Sequence, residues 1–139
     1  MGGAPAAGGL SRGAMRFLLI CLGGAFGTGA RYGVQVLAAR WVGSGFPYGT
    51  LAVNVLGSIL IGLINEVAFT TSLIPPTVRV MLTIGVMGGF TTYSSFAFET
   101  LELAKDGTWL GAGANILLNT ALCLGGCGLG IALGRAVVR

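Results

Sequence analysis

The sequence predicts an all-α membrane protein with four transmembrane helices, and two observations carry that prediction. Of the 139 residues, 54% are hydrophobic and only 9% are charged, whereas a soluble domain usually carries about 25% charged residues. The apolar residues also fall into four long runs, and each run has the roughly 20 residues needed to cross about 30 Å of hydrocarbon. Eight Lys and Arg with four Asp and Glu cannot clothe a water-facing surface. The net charge of +4 is spread along the chain without a basic stripe. Nucleic-acid binding is therefore excluded as a reading, because a phosphate footprint needs clustered Lys and Arg.

Taken in order, residues 1–14 are Gly, Ala, Pro and Ser with Arg12, a flexible tail ahead of a four-helix transmembrane domain at 15–139. Met15 is an alternative start. The apolar stretch after Arg16 imitates a signal peptide, but three further spans follow it. The first span runs over about residues 17–39 and is interrupted by Arg31 and Gln35. The second covers about 48–69, with Glu66 near its end. The third covers about 78–103 and the fourth about 109–133. Their connections are short: Gly43-Ser44-Gly45-Phe46-Pro47 and Lys105-Asp106-Gly107 are turns, and Ile74-Pro75-Pro76 stops a helix. Trp41, Tyr48 and Trp109 lie at span ends, as interfacial aromatics do. Arg12, Arg16, Arg79, Arg135 and Arg139 fall on one side of the membrane, and Arg31, Arg40 and Lys105 on the other. Lys and Arg favour the cytoplasm, which mildly places both termini there. So small a bias also fits a chain that inserts both ways.

The polar residues inside these spans are ordered. An intramembrane polar group without a partner costs several kcal/mol. Thr50, Asn54 and Ser58 recur every four residues and form one stripe on the second helix. Asn115, Asn119 and Cys123 do the same on the fourth. On the third, Thr91, Thr92, Ser94 and Ser95 surround Tyr93 and Phe96, with Glu99 one turn on. Such residues commonly join packed helices. Two Asn stripes and a hydroxyl-rich segment in four helices exceed what glue alone needs. Either the bundle satisfies them internally, or they meet a second subunit. Glu99 pairs with a cation such as Arg31, is protonated, or sits at the water interface near the end of the third helix.

Gly88-Gly89 followed by Thr91-Thr92 makes a poor helix centre. A break here predicts a third helix interrupted near its middle, with freed carbonyls that can coordinate a monovalent cation. Gly23 and Gly27, and likewise Gly126, Gly130 and Gly134, have the spacing of close helix contacts. Cys21, Cys123 and Cys127 all lie in apolar segments. The last two share a helix face, but no His and no nearby carboxylate completes a metal site, so they read as small hydrophobes. With no carboxylate pair and no activated nucleophile, an enzyme is not predicted.

The run Gly88-Gly89-Phe90-Thr91-Thr92-Tyr93-Ser94-Ser95-Phe96 closely resembles the third-helix motif of the Fluc (CrcB) family of small fluoride channels. Gly23-Gly24-Ala25-Phe26-Gly27 with Gly29-Ala30-Arg31-Tyr32 resembles that family's first-helix signature. Gly49-Thr50-Leu51-Ala52-Val53-Asn54-Val55-Leu56-Gly57 resembles its second. The resemblance spans nearly everything from Met15 to Arg135. It implies an antiparallel, dual-topology homodimer in the cell membrane, with two fluoride pathways and a central sodium ion. It implies passive export of fluoride that protects the cell. Asn54 and Thr50 would line the pathway with the rings of Tyr93 and Phe96. Arg31 would sit in an aqueous vestibule, and the main-chain carbonyls of Gly88 and Thr91 would hold sodium. The family usually has Phe at the position of Tyr93 and Thr at that of Ser95. Ser94, Ser95, Asn115 and Asn119 complete the expected polar lining, although the fourth-helix Asn residues stand where hydroxyls or Tyr are usual.

Neutral donors and ring edges suit an anion. A proton-coupled fluoride or small-multidrug-type transporter is the alternative. It requires a membrane-embedded carboxylate, for which Glu66 and Glu99 are the candidates. A structural subunit, whose stripes would be helix glue, is a third reading.

Overall fold

The computed structural model describes residues 11–139. Helix α1 (Arg12–Val42) starts where the Ser11 hydroxyl accepts the Ala14 N–H at 3.2 Å, a side-chain N-cap that satisfies one orphan donor. Residues 12–14, read from sequence as tail, thus belong to the helix. Residues 1–10 of the expected tail lie outside the described residues. Gly43, at φ 93°, ends α1 in a backbone region that glycine enters without steric cost.

The turn at residues 43–47 leads into α2 (Tyr48–Thr70). Pro76 opens α3 (Pro76–Val80) at the first helical position, where its missing N–H costs nothing. The chain then widens into a π-helical segment (Met81–Met87) and tightens into one more turn, α4 (Gly88–Phe90). Thr91 (φ −83°, ψ 159°) and Thr92 (φ −152°, ψ 109°) are extended. Helix α5 (Tyr93–Lys105) follows, and a turn through Gly107 leads to α6 (Trp109–Val137).

Four stretches are long and apolar enough to cross a membrane: Arg12–Val42, Tyr48–Thr70, Pro76–Lys105 and Trp109–Val137. All regular structure among the described residues is helical, so the chain is an all-α, multi-pass membrane protein. The helices run beyond the apolar runs, and their ends carry Arg12, Arg16 and Arg135, long side chains that can keep a charged head in water from a helix end.

The glycine pair expected at the break is helical. The extended residues are the two threonines beyond it. Their hydroxyls make local bonds: Thr91 Oγ1 donates to the Met87 carbonyl at 2.9 Å, and Thr92 Oγ1 accepts the Ser95 N–H at 3.2 Å. Gly89 serves close packing instead, since a Cβ there would collide with the Gly24 carbonyl of α1.

Two tight helix pairs build the bundle. Gly23 and Gly27 of α1 lie against the backbone of Met81 and Val86. Gly126, Gly130 and Gly134 of α6 lie against Ile59, Leu63 and Glu66 of α2, and Gly62 answers from α2 against Cys127. The glycine spacings read from sequence are these contacts. Helix α5 then packs on α6.

The bundle is inverted relative to a soluble protein. Its buried residues include Thr50, Thr92, Thr100, Asn115 and Asn119, beside only Val53, Met87, Phe90 and Ala112 among the apolar residues described as core. Phe17, Phe26, Tyr32, Trp41 and Trp109 are exposed, as lipid-facing side chains are.

Candidate functional site

The interruption at Thr91-Thr92 is held by one side chain from α2. Asn54 Oδ1 accepts the Thr92 N–H at 2.8 Å, and Asn54 Nδ2 donates to the Thr92 carbonyl at 3.1 Å. An amide is suited to this, because it presents a donor and an acceptor side by side. The Thr92 N–H would bond the Gly88 carbonyl in a continuous helix, so the break releases that carbonyl.

From Asn54 the bonding continues into α6 and α5. Asn54 Nδ2 also donates to Asn119 Oδ1 at 3.1 Å. Asn119 Nδ2 donates to Asn115 Oδ1 at 2.9 Å and to the Asn115 carbonyl at 3.1 Å. Asn115 Nδ2 donates to Thr100 Oγ1 at 2.8 Å, and Thr100 Oγ1 donates to the Phe96 carbonyl at 2.6 Å. Beyond Asn54 the donors run in one direction, toward the Phe96 carbonyl, across α2, α6 and α5. Burial without these partners would cost about 1–3 kcal/mol per group.

Beside this ladder lies a groove of about 490 Å³. Asn54 and Ser58 of α2, Gly88 and Thr91 at the break, Tyr93 and Phe96 of α5, and Asn119 and Thr120 of α6 are among its lining residues. No side chain that lines it is charged. The rings of Tyr93 and Phe96 are 5.3 Å apart and tilted by 58°, the edge-to-face type of contact that aromatic pairs prefer.

A second cavity of about 440 Å³ opens at the end of the bundle that carries the 43–47 turn. Gln35, Thr50, Glu99, Glu102 and Asp106 line it. Gln35 Nε2 donates to Thr50 Oγ1 at 3.3 Å, and Thr50 Oγ1 donates to Glu99 Oε1 at 2.8 Å. Glu99 Oε2 is buried with no hydrogen-bond partner among the described residues. Thr50, one turn from Asn54 on the same stripe, lines this mouth and not the groove.

The residues singled out from sequence thus separate. Asn54, Tyr93, Phe96, Asn119, Gly88 and Thr91 share the groove, and Thr50 lines the mouth. Asn115, expected with the polar lining, is fully buried and lines neither cavity, because Thr100 and Asn119 hold its amide inside the bundle. Ser94 and Ser95 lie within 3.3 Å and 2.9 Å of the Thr92 hydroxyl at the start of α5, outside the groove lining. Arg31 lines neither cavity. Its Nη1 lies 3.5 Å from the Thr91 carbonyl, and Glu99 takes Thr50 rather than Arg31 as its partner. Glu66 accepts Arg135 Nε at 3.0 Å at the bundle end. The mouth residues Gln35, Glu102 and Asp106 were not assigned to a site from sequence. Gln35 carried a signal, since with Arg31, one turn before it, it interrupts the first apolar span. Among the described residues no group of three His, Cys, Asp or Glu could hold a metal, and Cys123 lines the groove as a small side chain.

A four-span bundle with an uncharged, donor-rich groove beside a helix break has the build of a small membrane channel. The chain belongs to the family described as CrcB-like protein, Camphor Resistance (CrcB), which matches residues 18–131. It is 50% identical over 123 residues to the fluoride-specific ion channel FluC of Sorangium cellulosum, a match covering 88% of this chain and 97% of that one. The FluC of Geobacter metallireducens is 46% identical over 121 residues, covering 87% and 98%. That of Geobacter sulfurreducens is 49% identical over 122 residues, covering 85% and 95%. The chain is accordingly a cell-membrane protein of an ion-channel family and not an enzyme.

Proposed function

We propose that this protein is a fluoride-selective channel that lets the ion leave the cell passively. The observation that carries the reading is the uncharged groove lined by amides, hydroxyls and two aromatic rings. Its relatives' shared name, fluoride-specific ion channel, supports the choice of ion.

Fluoride is small and tightly hydrated, and stripping it in a low dielectric costs tens of kcal/mol by Born estimates. Closely spaced donors offset that loss. The Asn54 N–H groups are spent on the neutral oxygens of Thr92 and Asn119. An anion in the groove competes for them with a charge-assisted bond, which is roughly twice as strong. The edges of Tyr93 and Phe96 add positive potential. With no Lys or Arg in the lining, the ion is not trapped. Thr50, one helical turn from Asn54, would pass the ion between the mouth cavity and this groove.

The proposed assembly is an antiparallel homodimer with two such pathways. The small difference in Lys and Arg between the two sides of the membrane supports insertion in both orientations. Sodium fits the break in its donor chemistry: Gly88 has lost the Thr92 N–H, and Thr91 meets only a long contact from Arg31. Two copies would offer four such carbonyls, and the ion would supply a fixed positive charge.

The test is fluoride efflux from liposomes loaded with the purified protein, with and without a membrane potential. Electrogenic efflux independent of a proton gradient is the expected result. Efflux that moves a proton with each ion would favour the transporter reading, in which Glu99 is the carboxylate to substitute, because Glu66 is already held by Arg135.

A further inference from the structure

Tyr93 carries a polar group that nothing in its own chain satisfies. It sits well inside the span Pro76–Lys105 and is 79% exposed. Its ring meets Phe96, but its hydroxyl has no hydrogen bond among the described residues, although Thr92, Ser94 and Ser95 next to it are bonded to one another. A phenol O–H cannot be left bare at membrane depth without a cost of several kcal/mol. Nor does packing require it, since Phe would supply the same ring. The residue lines the groove with Asn54 and Phe96.

The geometry points to the Tyr93 hydroxyl as an additional hydrogen-bond donor to the anion in the groove, and so as a specificity-determining residue of this chain. The inference rests on the channel reading above. A phenol O–H is a stronger donor than a ring C–H edge, and it rewards the smallest and most basic halide most. It therefore raises affinity for fluoride and widens discrimination against chloride. The acceptor is the permeating ion itself, and no covalent step is involved.

Tyr93→Phe removes only the O–H. Wild type and variant are compared by fluoride efflux from liposomes. The variant's half-saturating fluoride concentration should rise on the order of tenfold, the loss expected for one hydrogen bond to a charged partner. Its discrimination against chloride should fall in parallel. In detergent, fluoride should shift the near-ultraviolet tyrosine band of the wild type, and chloride should not. The shift should vanish in the variant, whose Tyr32 and Tyr48 remain as internal controls. An unchanged half-saturating concentration together with no fluoride-dependent shift overturns the inference while leaving the channel intact. A variant that elutes as a smaller species also overturns it, by assigning the hydroxyl to a contact between copies. Absence of fluoride flux in the wild type removes the channel reading, and this inference with it.

Discussion

Asn54 has two tasks that a single substitution separates poorly. Its amide closes the break by pairing both the N–H and the carbonyl of Thr92, and it faces the groove. Asn54→Asp keeps the acceptor for the Thr92 N–H. It replaces the donors with a charged oxygen that faces the Thr92 carbonyl, Asn119 Oδ1 and the groove. Fluoride efflux from liposomes should fall to background, and thermal unfolding in detergent should show a loss of about 1–3 kcal/mol for the groups left unpaired. Phe96→Ile makes the cleaner probe, because it keeps apolar volume and removes the ring edge. Its flux should fall sharply while the melting temperature stays close to wild type. Wild-type flux in a well-folded Phe96→Ile would falsify the assignment of these rings to the pathway.

At the scale of elements, two kinds of contact hold the helices, and they respond differently to substitution. The first is glycine against backbone. A side chain at Gly27 would drive into the Val86 carbonyl, and one at Gly130 into that of Ile59. Because backbone cannot step aside, Gly130→Leu should abolish recovery of folded protein, as judged by gel filtration. Gly113 has nothing within 4 Å of an added Cβ, so Gly113→Ala should be tolerated and should gain up to about 1 kcal/mol of helix propensity. The second contact is the amide ladder. Asn115→Leu keeps the volume but removes the donor to Thr100 Oγ1 and strands one Asn119 N–H, and it should cost about 1–3 kcal/mol in detergent melts. Because Asn115 lines neither cavity, the folded fraction should still conduct. That outcome would distinguish it from Asn54.

On the scale of the whole molecule, the charge arrangement bears on assembly. Arg12, Arg16, Arg79, Arg135 and Arg139 stand against Arg31, Arg40 and Lys105, a small difference for setting orientation. An antiparallel pair predicts that a tag at one terminus is reachable from both faces of the membrane. It also predicts that crosslinking in detergent gives a dimer. Labelling from one face alone would exclude dual topology. A high-resolution map of the dimer should carry density near the carbonyls of Gly88 and Thr91. Exchange of sodium for a bulky organic cation should lower the dimer's melting temperature.

The sequence by itself determined the four spans, because crossing hydrocarbon imposes a length and a composition that can be counted. It also determined the glycine contact faces, because helical periodicity and small size together leave little choice. It did not determine what each polar stripe touches. Periodicity aligns Asn115 with Asn119 on one face of α6, yet the structure buries Asn115 in the ladder and brings Asn119 to the groove. That division depends on where α5 and α2 cross α6, which a single helix does not encode. Likewise, Gly88-Gly89 marked the neighbourhood of the break. Only the tertiary structure put the extended residues at Thr91 and Thr92, because Gly89 is needed against α1 and Asn54 of α2 stands ready to accept the freed backbone of Thr92.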